Sequence, residues 1–242
     1  MDLSVERAIR RWIEIRAPKL DRRALEIAAS VSVSSRLEAR PPADPRAVAE
    51  WERRHGFKLP DGLKDWLVLS DGLYAESPLI HPLSAIGPMI AFAKVPGLYI
   101  QPESWFELGN PPTEPICVDL AYRGPDGDCP IFTSGDDQRA SKPRLIASGF
   151  DSWFLGVLIE QGREYWCDAD FASLGDPWLE HRKRAPVPHL PERLEIYIDR
   201  VLILMRQGLD ERSVADRLGL SRGEVESIVR RVQHGDFDSN QD

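Results

Sequence analysis

Five aspartates, Asp119, Asp126, Asp128, Asp136 and Asp137, gather along two short apolar runs and the loops beside them. Carboxylates at that density suit a cation site or a docking face for a positively charged protein. Otherwise they form a solvated face. The cation reading fails on spacing. Asp126-Gly127-Asp128 opens as a calcium loop does, but the further oxygen ligands and the closing Glu are missing. Pro, Asp and Gly are instead the residues that turns select, which makes 124–128 a turn between strands. The five histidines (His55, His81, His181, His189, His234) are scattered, and none stands at metal-ligand spacing from a Cys or a carboxylate. Ser134-Gly135 and Ser148-Gly149 belong to no Gly-x-Ser-x-Gly elbow. No phosphate loop or dinucleotide fingerprint is present, so no motif asks for a cofactor. The chain reads as a binding protein rather than an enzyme, with the five aspartates as candidate partner contacts.

The C-terminal residues carry a second candidate chemistry. Leu194 to Gln207 has Ile198, Val201, Leu202 and Met205 on one helical face. Asp210 then caps Glu211–Leu218, Gly219-Leu220-Ser221 turns, and Ser221 caps Arg222–Val232. Ala215, Leu218, Val225, Ile228 and Val229 fall at core spacing, which gives a helix-turn-helix pattern. Ser221, Arg222, Arg230 and Arg231 are the residues that would read or neutralise DNA. Against this stand Glu224 and Glu226 on the same helix, and a net charge of −3 over residues 190–242. Electrostatics supplies most non-specific affinity for nucleic acid, and here it opposes binding. Similar helical pairs serve as packing modules; the C-terminal helices of NAD synthetases are similar.

Several elements must position these residues. Val5, Ile9, Trp12 and Ile13 share one helical face, and Pro18 ends that helix. A second helix is expected from Leu20 to about Leu37, weakened by the β-branched run at 31–33. Pro and Asp at 41–45 mark a boundary, with Asp44 and Pro45 as cap and first position of the next helix. Trp51 to Gly72 then reads as a helix tail, a turn at His55-Gly56, and a second helix from Pro60 to about Ser70 with Leu63, Trp66 and Leu67 as its apolar stripe. Asp71-Gly72 stops it, Gly being free to take the left-handed conformation. Short β-branched and aromatic runs follow at 79–87, 98–101, 104–108, 115–122, 129–134 and 144–148, as an antiparallel sheet requires. Residues 148–160 return to helical spacing, with Ser148 and Asp151 three apart at the start. Residues 162–171 could add a strand. Residues 181–190 form a Pro-rich, basic linker holding Arg182, Lys183 and Arg184.

The charge is divided unevenly along these elements. The whole chain is −8, with 42% hydrophobic and 29% charged residues, the composition of a globular protein. Residues 1–43 carry 9 basic and 6 acidic side chains, whereas residues 44–180 carry 11 basic and 22 acidic. The middle of the chain repels nucleic acid and attracts a basic partner. Its apolar runs are far short of the roughly 20 residues that span a bilayer. The N-terminus lacks an apolar signal core. Cys117, Cys129 and Cys167 make an odd count with no C-x-x-C, which suits a reduced, cytoplasmic protein.

The stretch Glu52, Gly56, Leu59-Pro60, Leu63, Trp66-Leu67 and Asp71-Gly72 resembles the opening signature of the SUKH superfamily, the Smi/Knr-like domains, with Asp71 where that signature has Asn. Ile116–Leu120, Pro130–Ser134 and Phe150–Ile159 resemble its later strands and closing helix, so the likeness covers roughly residues 44–160. It implies an α+β fold: a helical pair packed on a twisted antiparallel sheet with a closing helix. To this are added an N-terminal helical extension (1–43), the linker (181–190) and a small all-α tail (191–242), the SUKH-like domain itself being 44–180. It also implies a non-catalytic binding module. Many bacterial members are immunity proteins that bind and neutralise toxins, often nucleases, of polymorphic toxin systems, and others are regulatory scaffolds. The expected partner is therefore a basic toxin domain, with no membrane and with nucleic acid disfavoured, and the oligomeric state is left open. The alternative is a DNA-binding regulator acting through the tail.

Overall fold

A computed structural model describes residues 5–33, 36–89, 102, 104–123, 127–133, 143–184 and 191–234. The described residues up to Pro88, with those from Ser104 to Pro177, form one compact unit; those from Trp178 onward belong to a second. Among the described residues no helix is long and apolar enough to cross a membrane.

The first unit is mixed α+β. In chain order it runs α1 (Val5–Arg16), α2 (Arg22–Ser30), β1 (Glu38–Ala39), α3 (Pro45–His55), α4 (Asp61–Leu67), β2 (Leu73–Tyr74), β3 (Pro78–Ile80), β4 (Gly87–Pro88), β5 (Trp105–Gly109), β6 (Ile116–Asp119), β7 (Ile131–Thr133), β8 (Arg144–Ala147) and α5 (Phe150–Ile159). β1, β2 and β3 make a three-stranded sheet, and β4 to β8 a five-stranded meander in chain order. Every pairing is antiparallel. Phe106, Leu108, Ile116, Val118, Ile131 and Ile146 share a core with Trp12, Trp66, Phe150, Trp153 and Phe154 of the helices. The register sets Cys117 opposite Glu107 and Phe132. Trp105, Cys117, Phe132 and Leu145, which alternate with these, are buried as well.

α1 is part of this core. Ala8, Ile9 and Trp12 have no exposed surface. The Trp12 indole donates to Gly62 O at 2.8 Å and meets the Phe154 ring edge-on at 4.7 Å. The residues placed outside the family likeness thus contribute to the same packing as those inside it.

Several elements form as expected. Asp44 caps α3 by accepting the Arg46 N–H, with Pro45 in the first turn. Trp66 and Leu67 are fully buried. Glu52 organises the turn between α3 and α4: its buried carboxylate accepts the Leu59 N–H at 3.1 Å and pairs with Lys58 at 2.7 Å. Burial pulls its pKa up, but Lys58, Lys64 and that N–H together outweigh burial and hold it below the ordinary value.

Others differ, for identifiable reasons. α2 stops at Ser30 because Val31 turns extended, and the chain goes on into β1 rather than continuing as helix to residue 37. α4 ends at Leu67, with Pro60 just before it as the N-cap. Asp71 and Gly72 do not stop a helix. Asp71 accepts the Leu83 N–H at 2.6 Å, and Gly72 has φ 110° within a turn whose backbone approaches Ile80. Residues 79–87 are split between two sheets by a turn at Pro82. Residues 98–101 lie outside the described residues. No strand forms at 162–171; Gln161 and Gly162 both have positive φ and reverse the chain into a single 3-10 turn, Tyr165–Cys167. The start of α5 is capped at Gly149, not Ser148: the Ser152 hydroxyl takes the Gly149 N–H, and Asp128 takes the next two.

In the second unit α6 (Pro177–Arg184) makes residues 181–184 helical rather than linker, and residues 185–190 lie outside the described ones. α7 (Glu192–Glu195) and α8 (Ile198–Arg206) replace one expected helix, broken at Ile196-Tyr197. α9 (Glu211–Leu218) and α10 (Arg222–His234) follow, capped by Asp210 and joined at Gly219 as expected. Leu194, Val201, Leu202, Val214, Ala215, Val225, Ile228, Val229 and Val232 form their core.

Candidate functional site

The structure removes two aspartates from the expected docking set. Asp119 is 4% exposed and accepts the Ser104 hydroxyl at 2.7 Å and the Ala121 N–H at 3.0 Å. Asp128 is 8% exposed and accepts the N–H groups of Cys129, Phe150 and Asp151. Both carboxylates serve the fold: one ends β6, the other caps α5 where the helix dipole favours negative charge. Asp126, Asp136 and Asp137 lie outside the described residues.

The acidic character of this unit surfaces elsewhere. Three segments meet around a groove of about 770 Å³: the β2–β3 turn, Pro111-Pro112 after β5, and the chain leaving α5. That volume lies in the range of ligand pockets. The positive φ of Gln161 and Gly162 bends the last segment over the opening. Gly162 fits there because a β carbon would come within 2.9 Å of Leu37. Glu76, Glu160, Glu164 and Asp168 line the groove, against Arg36 and Arg163. Arg163 holds two of these acids, Glu160 at 2.6 Å and Asp168 at 2.5 Å. Glu164 is held by one oxygen, which accepts the Thr113 hydroxyl at 3.1 Å; its Oε2 is enclosed and has no hydrogen-bond partner among the described residues. Burial raises the Glu164 pKa, with the Glu114 carboxylate adding to the rise. A cation placed there would oppose that rise.

Cys167 also lines the groove, but burial and the same two carboxylates push its pKa up. It is a thiol at neutral pH, not a nucleophilic thiolate. Burial raises Cys117 well above the usual thiol value, with Glu107 adding to it. His81 pairs with Glu107 at 3.1 Å, and His55 packs on Trp51 and Phe106. Burial lowers the His55 pKa, and Arg54 lowers it further. Among the described residues no group of His, Cys, Asp and Glu could hold a metal ion.

The candidate DNA contacts are partly committed to the second unit itself. Ser221 caps α10 in a reciprocal box: its N–H and hydroxyl donate to Glu224, and its hydroxyl accepts the Glu224 N–H. These bonds and Arg193 bring the Glu224 pKa down to about 2. Arg222 pairs with Glu226 at 2.9 Å and Glu211 at 3.6 Å. Arg230 is exposed and Arg231 half-buried, and neither forms an ion pair among the described residues.

The groove escaped the sequence reading because Glu76 lies far along the chain from Glu160, Glu164 and Asp168, and these acids form no motif. The one local signal was turn chemistry at Gln161-Gly162. No protein-family model and no curated protein matches this sequence.

Proposed function

We propose that this chain is a non-catalytic protein-binding module whose partner is basic, and that it acts as an immunity protein, neutralising a toxin of a bacterial polymorphic system. A nuclease toxin suits the charge best, since nucleic-acid-binding domains are basic. The carrying observation is the groove, where four carboxylates face two arginines on a unit built largely from the acidic segment 44–180. The likeness of Glu52, Gly56, Leu59-Pro60, Trp66-Leu67 and Asp71-Gly72 to the SUKH signature supports the reading. In this reading the groove serves as the docking face.

The test is to co-produce the chain with the product of the adjacent gene and follow growth and binding. Rescue of growth, with association slowing as salt screens charge over about 8 Å, supports the reading. Glu76→Gln, Glu160→Gln and Glu164→Gln together should lower the on-rate about tenfold or more. Binding that ignores salt and these changes would refute the groove; no binding would refute the partner class. The reading as a DNA-binding regulator is favoured only by the α9–α10 arrangement. A full-chain gel shift with a reproducible site, lost on Arg222→Gln with Arg230→Gln, would promote it. A regulatory scaffold would bind a protein without rescuing growth.

A further inference from the structure

Besides the apolar packing of Ala8, Ile9 and Trp12, the end of α1 is tied to α4 and α5 by one guanidinium. Arg16 is 3% exposed at its side chain and donates twice to Asp151 Oδ2, from Nε at 2.8 Å and Nη2 at 2.7 Å, and once to Asp65 at 2.9 Å. Asp128 lies next to Asp151, taking that residue's own N–H. Two carboxylates, from α4 and α5, therefore meet one buried cation, and a third stands beside Asp151. Beyond them Asp61 is matched by Lys19, Lys64 and Arg123, so it adds no unmet charge.

The three acids differ in how well they are served as anions. Asp128 accepts three backbone N–H groups. Asp65 is a third exposed and hydrated. Asp151 is 13% exposed; both of its Arg16 bonds fall on Oδ2, while Oδ1 is enclosed against the Gly62 backbone with no partner among the described residues. An enclosed carboxylate oxygen without a donor carries the desolvation cost of its charge uncompensated. Asp151 is thus the site where the cluster sheds its excess negative charge.

We infer that the Arg16 junction is a proton-operated fastener: docking of α1 is coupled to uptake of one proton at Asp151, so acidification tightens the hold on the N-terminal helix. Burial raises the Asp151 pKa to about 6, against the pull of Arg16 and with Asp128 and Asp65 adding to the rise. With α1 undocked, Asp151 is hydrated and returns toward the ordinary carboxylate value of about 3.9. The docked form then binds the proton more tightly, and linkage favours it as pH falls through 6 toward 4. Between pH 7.5 and 5 the docking equilibrium gains about tenfold.

The experiment is amide hydrogen exchange of residues 5–16 in the full chain at pH 7.5 and 5, corrected for intrinsic exchange rates. About tenfold slower corrected exchange at pH 5 is expected in the parent chain and in Asp65→Asn, and a flat response in Asp151→Asn. Equal protection at both pH values, or the same pH response in Asp151→Asn, overturns the inference. Should Asp151→Asn not fold, a carboxyl carbon NMR titration of the parent chain decides: a midpoint near 6 at Asp151 supports the fastener, and one near 4 refutes it.

Discussion

Trp12 of the first unit donates its indole N–H to Gly62, Arg16 reaches Asp151, and Asp128 caps a helix that begins at Phe150. In the second unit the bonds that cap and brace α9 and α10 close over three or four residues, Ser213 N–H to Asp210, Ser221 to Glu224 and Ser227 to Gly223, while the exposed arginines Arg193 and Arg222 reach further, to Glu224 and Glu211. The cores differ in the same way. The first is rich in Trp and Phe rings contacting edge to face; the buried members of the second are aliphatic. A unit whose polar groups are satisfied far along the chain must close long loops before those bonds form, whereas a local unit gains as it folds. Cooperativity is concentrated in the first unit, and sites that depend on convergence, such as the groove, belong there.

The largest break in this contrast comes from the cores. Leu67→Ala should destabilise the first unit by about 2–5 kcal/mol, read from urea melts by tryptophan fluorescence. Val225→Ala should cost the second unit about 1.5–3 kcal/mol, read from exchange of the α9 and α10 amides. A Leu67 effect below about 0.5 kcal/mol would mean α4 faces no core.

Glu52→Gln comes next, at about 1–3 kcal/mol at pH 7, since Leu59 N–H and Lys58 lose a charged partner in a buried setting. The Glu52 pKa is depressed in the fold, so its contribution is present above the ordinary glutamate value and is lost as pH falls through the folded one. The gap between Glu52→Gln and the parent should therefore narrow in acid melts; a gap that is constant down to pH 3 would contradict the assignment.

Ser221→Ala should cost about 1 kcal/mol, the usual worth of an N-cap, and should loosen the start of α10 while leaving the first unit's melt unchanged. A coupled loss in both would deny that α10 is satisfied locally. Smallest of all, Arg222→Gln should change stability by less than about 0.5 kcal/mol, because its pairs with Glu211 and Glu226 are exposed.

Legibility followed this contrast. The α9–α10 pair was readable because Asp210, Gly219 and Ser221 signal caps and turns a few residues from where they act. α3 was readable for the same reason, through Asp44 and Pro45. The N-terminus of α5 was misread at Ser148, because its cap comes from Asp128 on a distant loop. The five aspartates were read as a face from their closeness in sequence, yet Asp119 and Asp128 were drawn inward by donors that sequence distance hides.

The sequence by itself determined α1, α3, the apolar stripe of α4, most strands of the meander, the helical hairpin of the second unit and the concentration of acid in residues 44–180. Those follow from periodicity, cap residues and composition, which act over a few residues or over none. Only the tertiary structure decided that α1 belongs to the core, that Trp105, Cys117, Phe132 and Leu145 of the five-stranded sheet are buried with the rest, and that Asp119 and Asp128 are buried and held by nearby N–H and hydroxyl donors. It alone placed Glu76, Glu160, Glu164 and Asp168 around one groove. The reason is that burial and proximity arise from closing loops between distant segments, and a carboxylate's role is set by the donors and charges those closures bring beside it.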